Sequence, residues 1–330
     1  MISCIICHHK GEKFVNQCIE SIKESRNDEF EIIIVTSAPE CKITGANRVV
    51  YSNEGPSQKR NIGARYANGQ YFAFLDDDVV LDPTCLYEMR KMMEKDGSQC
   101  VYAKTLNMER IDHLDCAGSY ITWTGFLFAR EGHQVIDKGQ FDIPDEILSG
   151  KGACMMISRR MFYSVGGFDP YYGYLAEETD ISWRICLLGG RNSYCYRAIA
   201  YHAFNTKFKP IKVYYTNERI YFNGCRNYLV MLTKLLETKN LWKIIPFNMV
   251  GWMISGVLMI LTGHFQAGYN IYRGIFHYFK DMPKTLQRRR RIQQTRVITD
   301  KVLFSRIKKT PPLSYFFGRL VRYIQTGLHG

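Results

Sequence analysis

Apolar and polar positions follow two periods along the first two hundred residues. Residues 2–7 are a short apolar run of strand length, and residues 12–23 place Phe14, Cys18 and Ile22 four apart, the spacing of a helix. Residues 31–36 predict a second strand and 49–51 a short third. Gly55-Pro56-Ser57 supplies a turn and a helix start, so 58–67 reads as helical until Asn68-Gly69 stops it. A strand over 71–75 follows, and Asp82-Pro83-Thr84 opens a helix to about residue 95. This rhythm predicts an α/β protein whose mainly parallel sheet is covered by helices on both faces. Residues 105–150 read as long loops and short strands able to shape a pocket. Short helices are expected at 158–165 and 177–188, stopped by Gly166-Gly167 and Gly189-Gly190, and a strand over 194–201 delivers His202 at its end.

The pattern changes past residue 209. A long helix is expected over 211–237, residues 244–263 carry no charge, and 265–279 are aromatic-rich around Arg273. The chain therefore divides into a catalytic domain, 1–209, and a helical C-terminal region, 210–330, with an apolar segment at 244–279 and a basic tail at 281–330. Net charge is +13, of which the tail supplies +10, from 12 Lys/Arg against Asp281 and Asp300. An apolar run beside a basic tail suits an anionic membrane surface. Residues 244–263 could just span a bilayer, but Pro246, Asn248, Gly251, Ser255 and Gly256 make a poor span. A single crossing would also carry the tail away from the cytosol, against the positive-inside tendency. Peripheral or re-entrant attachment at the cytoplasmic membrane face is expected, with an oligomer interface or a lid as the alternative.

The 11 cysteines are odd in number and lack a disulfide-scaffold spacing, as expected of reduced thiols in the cytosol. No basic leader precedes the first strand, so no secretory signal is expected. Cys4-x-x-Cys7-His8 matches a haem-attachment string in letters only. Residues three apart on a strand face opposite ways, and there is no second CxxC for zinc.

Asp76-Asp77-Asp78 stands where the strand over 71–75 leaves the core. Clustered carboxylates resist burial unless a cation offsets them. On an extended chain Asp76 and Asp78 share one side and Asp77 takes the other. Hard carboxylate oxygens suit Mg²⁺ or Mn²⁺, and the carboxyl ends of strands are where α/β sheets collect phosphate-bearing ligands. The alternative is a solvated acidic turn at a helix start.

Gly166-Gly167-Phe168-Asp169, Glu177-Glu178-Thr179-Asp180-Ile181-Ser182-Trp183-Arg184 and Gly189-Gly190 occur in order, as do Arg60-Asn61-x-Gly63, Asp76-x-Asp78, Tyr201-His202 and Arg226-Asn227. Over about residues 1–235 this set resembles family 2 glycosyltransferases, closest to the rhamnosyltransferase-like branch of bacterial surface-glycan synthesis. The resemblance implies a GT-A fold (Rossmann-like), to which the residues past 209 add the membrane-associating helical C-terminal region. It implies a nucleoside-diphosphate sugar donor, dTDP- or UDP-linked, with Mg²⁺ or Mn²⁺, and, together with the basic tail, a glycan acceptor on a polyprenyl-diphosphate carrier. It assigns the metal to Asp76, Asp78 and His202, and nucleotide contacts to His8, Lys59, Arg60, Asn61, Asp76, Asp77 and Arg226. Inverting transfer needs a base beside the acceptor hydroxyl, which the resemblance places at Glu178, with Glu177 as the other candidate.

The chain also departs from that family. Glu178 stands where an Asp is usual, and His8-His9 replaces Thr-Tyr. Thr36-Ser37-Ala38-Pro39-Glu40 lacks the acidic pattern that helps read the base, and Asp169-Pro170 replaces Asp-Glu. Simpler roles exist for single residues: a core histidine at His202, helix-start acids at Glu177 and Glu178, and solvated surface charges at Lys59, Arg60 and Lys104. Two other function classes are a metal-dependent nucleotidyltransferase acting on nucleic acid and an inactive scaffold. No nucleic-acid-binding motif appears and the tail is interleaved with apolar runs, so no nucleic-acid partner is expected; a homo-oligomer stays open.

Overall fold

The computed structural model describes residues 1–310 apart from 10, 27, 131–134 and 204–217. The chain forms two compact units. The first comprises Met1–Tyr120 with Ala129–Thr206, and the second takes the described part of 207–330 with Ile121–Phe128.

The first unit is built on one mixed sheet. Strands β1 (Ile2–His8), β2 (Phe30–Thr36), β3 (Arg48–Tyr51) and β4 (Tyr71–Asp76) run parallel in the order β4-β1-β2-β3. The sheet continues through β11 (Cys154–Ser158), β6 (Cys100–Asn107) and β12 (Asn192–His202) to β10 (Asp145–Glu146). β11 lies antiparallel between β4 and β6, while β12 runs parallel to β6. Two short strands, β5 (Val79–Leu81) and β7 (Leu114–Cys116), pair with β12 and β6, and β8 (Ser119–Ile121) forms a separate hairpin with β9 (Leu127–Ala129). Neither β6 nor β11 was legible as a strand. Cys100 to Leu106 and Cys154 to Ile157 are buried throughout, so no polar face alternates with an apolar one.

Period-two alternation sorts the core into two layers. Ile2, Cys4, Ile6, Ala73 and Leu75 face α1 (Glu12–Lys23) and α3 (Cys85–Asp96), which contribute Val15, Cys18, Ile19, Ile22, Leu86 and Met89. The intervening residues face the other way. There Gly63 of α2 (Pro56–Tyr66) lies so close to β1 that a Cβ would come within 2.3 Å of Ile5 Cγ2. Phe72 and Phe74 pack edge-on against Phe162 of α4 (Arg159–Ser164) and Phe168. Asp76 continues this second face, so it points toward α2 and α5 (Glu177–Leu187).

Beyond Ile121–Phe128, the second unit is helical: α6 (Glu218–Leu235), α7 (Thr238–Leu261), α8 (Phe265–Lys280), α9 (Met282–Thr295) and α10 (Asp300–Ile307). Residues 211–217 of the expected long helix and 311–330 of the basic tail lie outside the described residues. The end of α6 is capped by side chains rather than by a turn residue. Arg289 donates to Thr233 O and Leu236 O, Gln293 to Lys234 O, and Arg296 to Leu235 O. Thr124 O accepts from Asn248 of α7 and Gly125 O from Tyr228 of α6, which accounts for the inclusion of 121–128 in this unit.

Candidate active site

The carboxyl ends of β1, β2 and β4 come level, with His8 opposite Thr36 and Cys7 opposite Asp76. After Asp76 the chain turns through Asp77-Asp78 into β5, whose antiparallel pairing sets Val79 against His202. That register brings the late histidine to the aspartates: His202 Nε2 lies 3.2 Å from Asp78 Oδ1. One ligand atom each from Asp76, Asp78 and His202 falls within 4.8 Å of the other two. Two carboxylates and an imidazole suit a hard divalent cation.

The imidazole is held from behind. Its Nδ1 lies 2.9 Å from Asp115 Oδ2, and the other oxygen of Asp115 takes Lys151 Nζ at 2.5 Å. Asp115 accepts from Nδ1–H, the outer-shell bond usual for metal-binding histidines, so a cation that displaced the Nε2 proton would meet a lone pair aimed at it. Burial alone would depress His202, but its bonds to Asp115 and Asp78 outweigh that and push it up to about 9. Burial raises Asp78, yet the His202 contact holds it below the ordinary carboxylate range. Asp115 was not identified from sequence, since it sits in no motif and reaches His202 across 87 positions.

Arg60 joins this cluster to the acidic pair on α5. The guanidinium is 2% exposed and bonds Asp76 Oδ1 and Glu177 Oε1 at 3.0 Å each. It is an interior brace, not a solvated surface charge. Glu177 is 6% exposed and pinned by that bond, whereas Glu178 is half-buried. Burial, then the Glu177 carboxylate beside it, pushes Glu178 up to about 8. Immediately before the pair, Leu175 and Ala176 both take left-handed φ values, 69° and 73°. Two consecutive non-glycine residues there store strain of the kind found at functional sites.

Other expected nucleotide contacts have partners within the fold. Lys59 Nζ donates to His8 O at 2.6 Å and Ser37 Oγ at 3.0 Å, buried beneath the strand ends. Asn61 donates to Phe168 O and accepts from Phe168 N, clamping the turn after Gly167, so both of its polar atoms serve the fold. Arg184 reinforces that turn through Val165 O and Gly167 O while bonded to Asp180. Lys104 is buried between Asp137 and Asp142 rather than solvated at the surface. Arg226 belongs to the second unit, where it bonds Asn223 and Asn227. His8 and Asp77 do meet: Asp77 Oδ2 accepts from His9 N and stands 4.0 Å from His8 Nε2. Burial lowers His8, keeping it neutral, and lifts Asp77 to about 7.

The family model for glycosyl transferase family 2 matches residues 3–164, which hold β1 through β11, the aspartate triplet and Arg60. That segment, just under half of the chain, carries the family 2 glycosyltransferase pattern. An uncharacterized glycosyltransferase of Rickettsia felis is 26% identical over 195 residues, covering 51% of this chain and 31% of that protein. An O-antigen biosynthesis protein of Myxococcus xanthus is 30% identical over 138 residues, 40% of this chain and 11% of that one. The matched region thus spans a third or less of these relatives. A mannosyltransferase from Pyrobaculum calidifontis, solved with GDP-Man and Mn²⁺, shares the fold at a TM-score of 0.51 and 10% identity, over 85% of this chain and 87% of that one. The fold is GT-A.

Proposed function

We propose that this glycosyltransferase moves a sugar, with inversion and metal dependence, from a dTDP- or UDP-sugar to a glycan on a polyprenyl-diphosphate carrier. It would do so at the cytoplasmic membrane face, in surface-polysaccharide synthesis. One observation carries the reading: the Arg60 guanidinium links two acidic centres, the Asp76–Asp78–His202 cluster and the Glu177–Glu178 pair. A divalent ion held by Asp76, Asp78 and His202 would offset the charge that grows on a diphosphate leaving group. Glu178 is the base. Glu177 is committed to Arg60, and a carboxyl raised toward neutral pH is matched to taking a hydroxyl proton. The methylene that distinguishes Glu178 from an aspartate extends its reach toward the acceptor. His8 and Asp77 line the nucleotide side, with Asn61 and Lys59 supporting the strand ends that carry them. The Myxococcus relative supports a surface-glycan role, and the apolar α7 supports work at a membrane.

The test is a thermal-shift series with UDP, dTDP and GDP, with and without Mn²⁺. Asp78→Ala should abolish the Mn²⁺-dependent part of the shift and the turnover, with the unliganded melting temperature little changed. Full turnover in EDTA would reject the metal role, and a product of retained anomeric configuration would reject the base.

A further inference from the structure

We propose that α7 and α8 form a re-entrant hairpin that enters one leaflet of an anionic bilayer tip first and does not cross it. This rests on the membrane reading above and narrows it. The two helices are joined by residues 262–264 alone. At that turn Leu261 is 75% and Phe265 68% exposed, and Met253, Ile254, Val257 and Tyr269 are exposed behind them. An apolar surface this continuous marks an interaction site.

Three features identify the partner as lipid. The first is internal satisfaction of three hydroxyl groups. Ser255 donates to Gly251 O, Thr262 to Leu258 O and Tyr272 to Met253 O, so these hydroxyls need no water. The second is backbone-close packing. A Cβ on Gly268 would lie 2.8 Å from Gly256 O, the small-residue contact by which helices pair in membranes.

The third is the segregation of charge along the hairpin. Residues 244–272 carry none. Lys239, Lys243, Lys280 and Lys284 cluster at the end away from the turn, and Asp281 is the single acid from 238 to 299. An apolar tip with a basic base complements hydrocarbon beneath anionic headgroups. A second copy of the chain would bring the same basic rim and repel it.

Arg273 sets the depth. It lies nine residues past His264, about 14 Å along a helix, which is roughly half of a hydrocarbon core about 30 Å thick. Deeper entry would drag Arg273 and then Lys280 into hydrocarbon.

The test uses the full-length chain with phosphatidylglycerol-containing vesicles and a phosphatidylcholine control. Leu261→Glu combined with Phe265→Glu should reduce flotation at least about tenfold. The melting temperature and transfer to a water-soluble acceptor should be unchanged. Undiminished flotation would show that the tip does not enter and overturn the hairpin, leaving sugar transfer standing. Absence of transfer by the unmodified chain would instead defeat the catalytic reading. Thr262→Cys, probed in intact cells with a membrane-impermeant maleimide, should stay unlabelled from outside; labelling would mean a crossing and overturn the one-leaflet geometry. Cys7, Cys41 and Cys116 are half-buried, so the parent chain serves as the labelling control.

Discussion

Glu177 and Glu178 are adjacent in sequence and opposite in environment. Adjacent helical positions point about 100° apart, so one carboxylate meets Arg60 while the other is left half-buried beside it. Glu178→Gln keeps the shape and removes the acceptor for the hydroxyl proton. Transfer should fall by about 10²–10⁴-fold while nucleotide binding, followed by calorimetry, is kept. The elevated Glu178 also sets a pH dependence. The folded state holds this proton more tightly than the unfolded chain, so stability is lost as pH rises from the ordinary carboxylate range to about 8. Melting curves at pH 5 and pH 8.5 should therefore differ less in Glu178→Gln than in the parent. A parent activity profile whose acidic limb falls near pH 4.5 would contradict the assignment. At the same scale, Asp78 and its strand-end context were legible in sequence. Asp115 was not, because its only signal is a contact made across the fold.

At the scale of elements, α2 explains why Arg60, Asn61 and Gly63 occur together. One turn of helix carries the brace to both acidic centres, the clamp on Phe168 and the gap that lets the helix reach β1. Gly63→Ala puts a methyl where only 2.3 Å separates the new carbon from Ile5 Cγ2. Lifting α2 to relieve it should cost about 1–3 kcal/mol in urea unfolding. Because Arg60 moves with the helix, nucleotide affinity in Mn²⁺ should weaken too. An alanine variant as stable as the parent would show that the contact is soft. Helices with one apolar face, such as α1, were legible through their period. β6 and β11 lack an exposed face and left no pattern to read.

Across the whole molecule, charge is concentrated toward the C-terminal end, but its arginines do not share one role. Arg289 donates to the carbonyls that end α6, whereas Arg290 and Arg291 are exposed. Arg289→Gln should lower the melting temperature with little effect on vesicle binding. Changing Arg290 and Arg291 to Gln should weaken binding to anionic vesicles, most clearly at low salt, and leave melting unchanged. The reverse pattern would refute this division. By itself the sequence determined the α/β class, the acidic triplet at a strand end, the order of the motifs and the uncharged run, because periodicity and local composition act over a few neighbouring residues. Only the tertiary structure decided that β11 enters antiparallel, that His202 meets Asp78 and Asp115, that Arg60 and Lys59 are interior braces, and which of two glutamates is pinned. Each of those depends on groups dozens of positions apart, whose energies are fixed by the burial and register that folding creates.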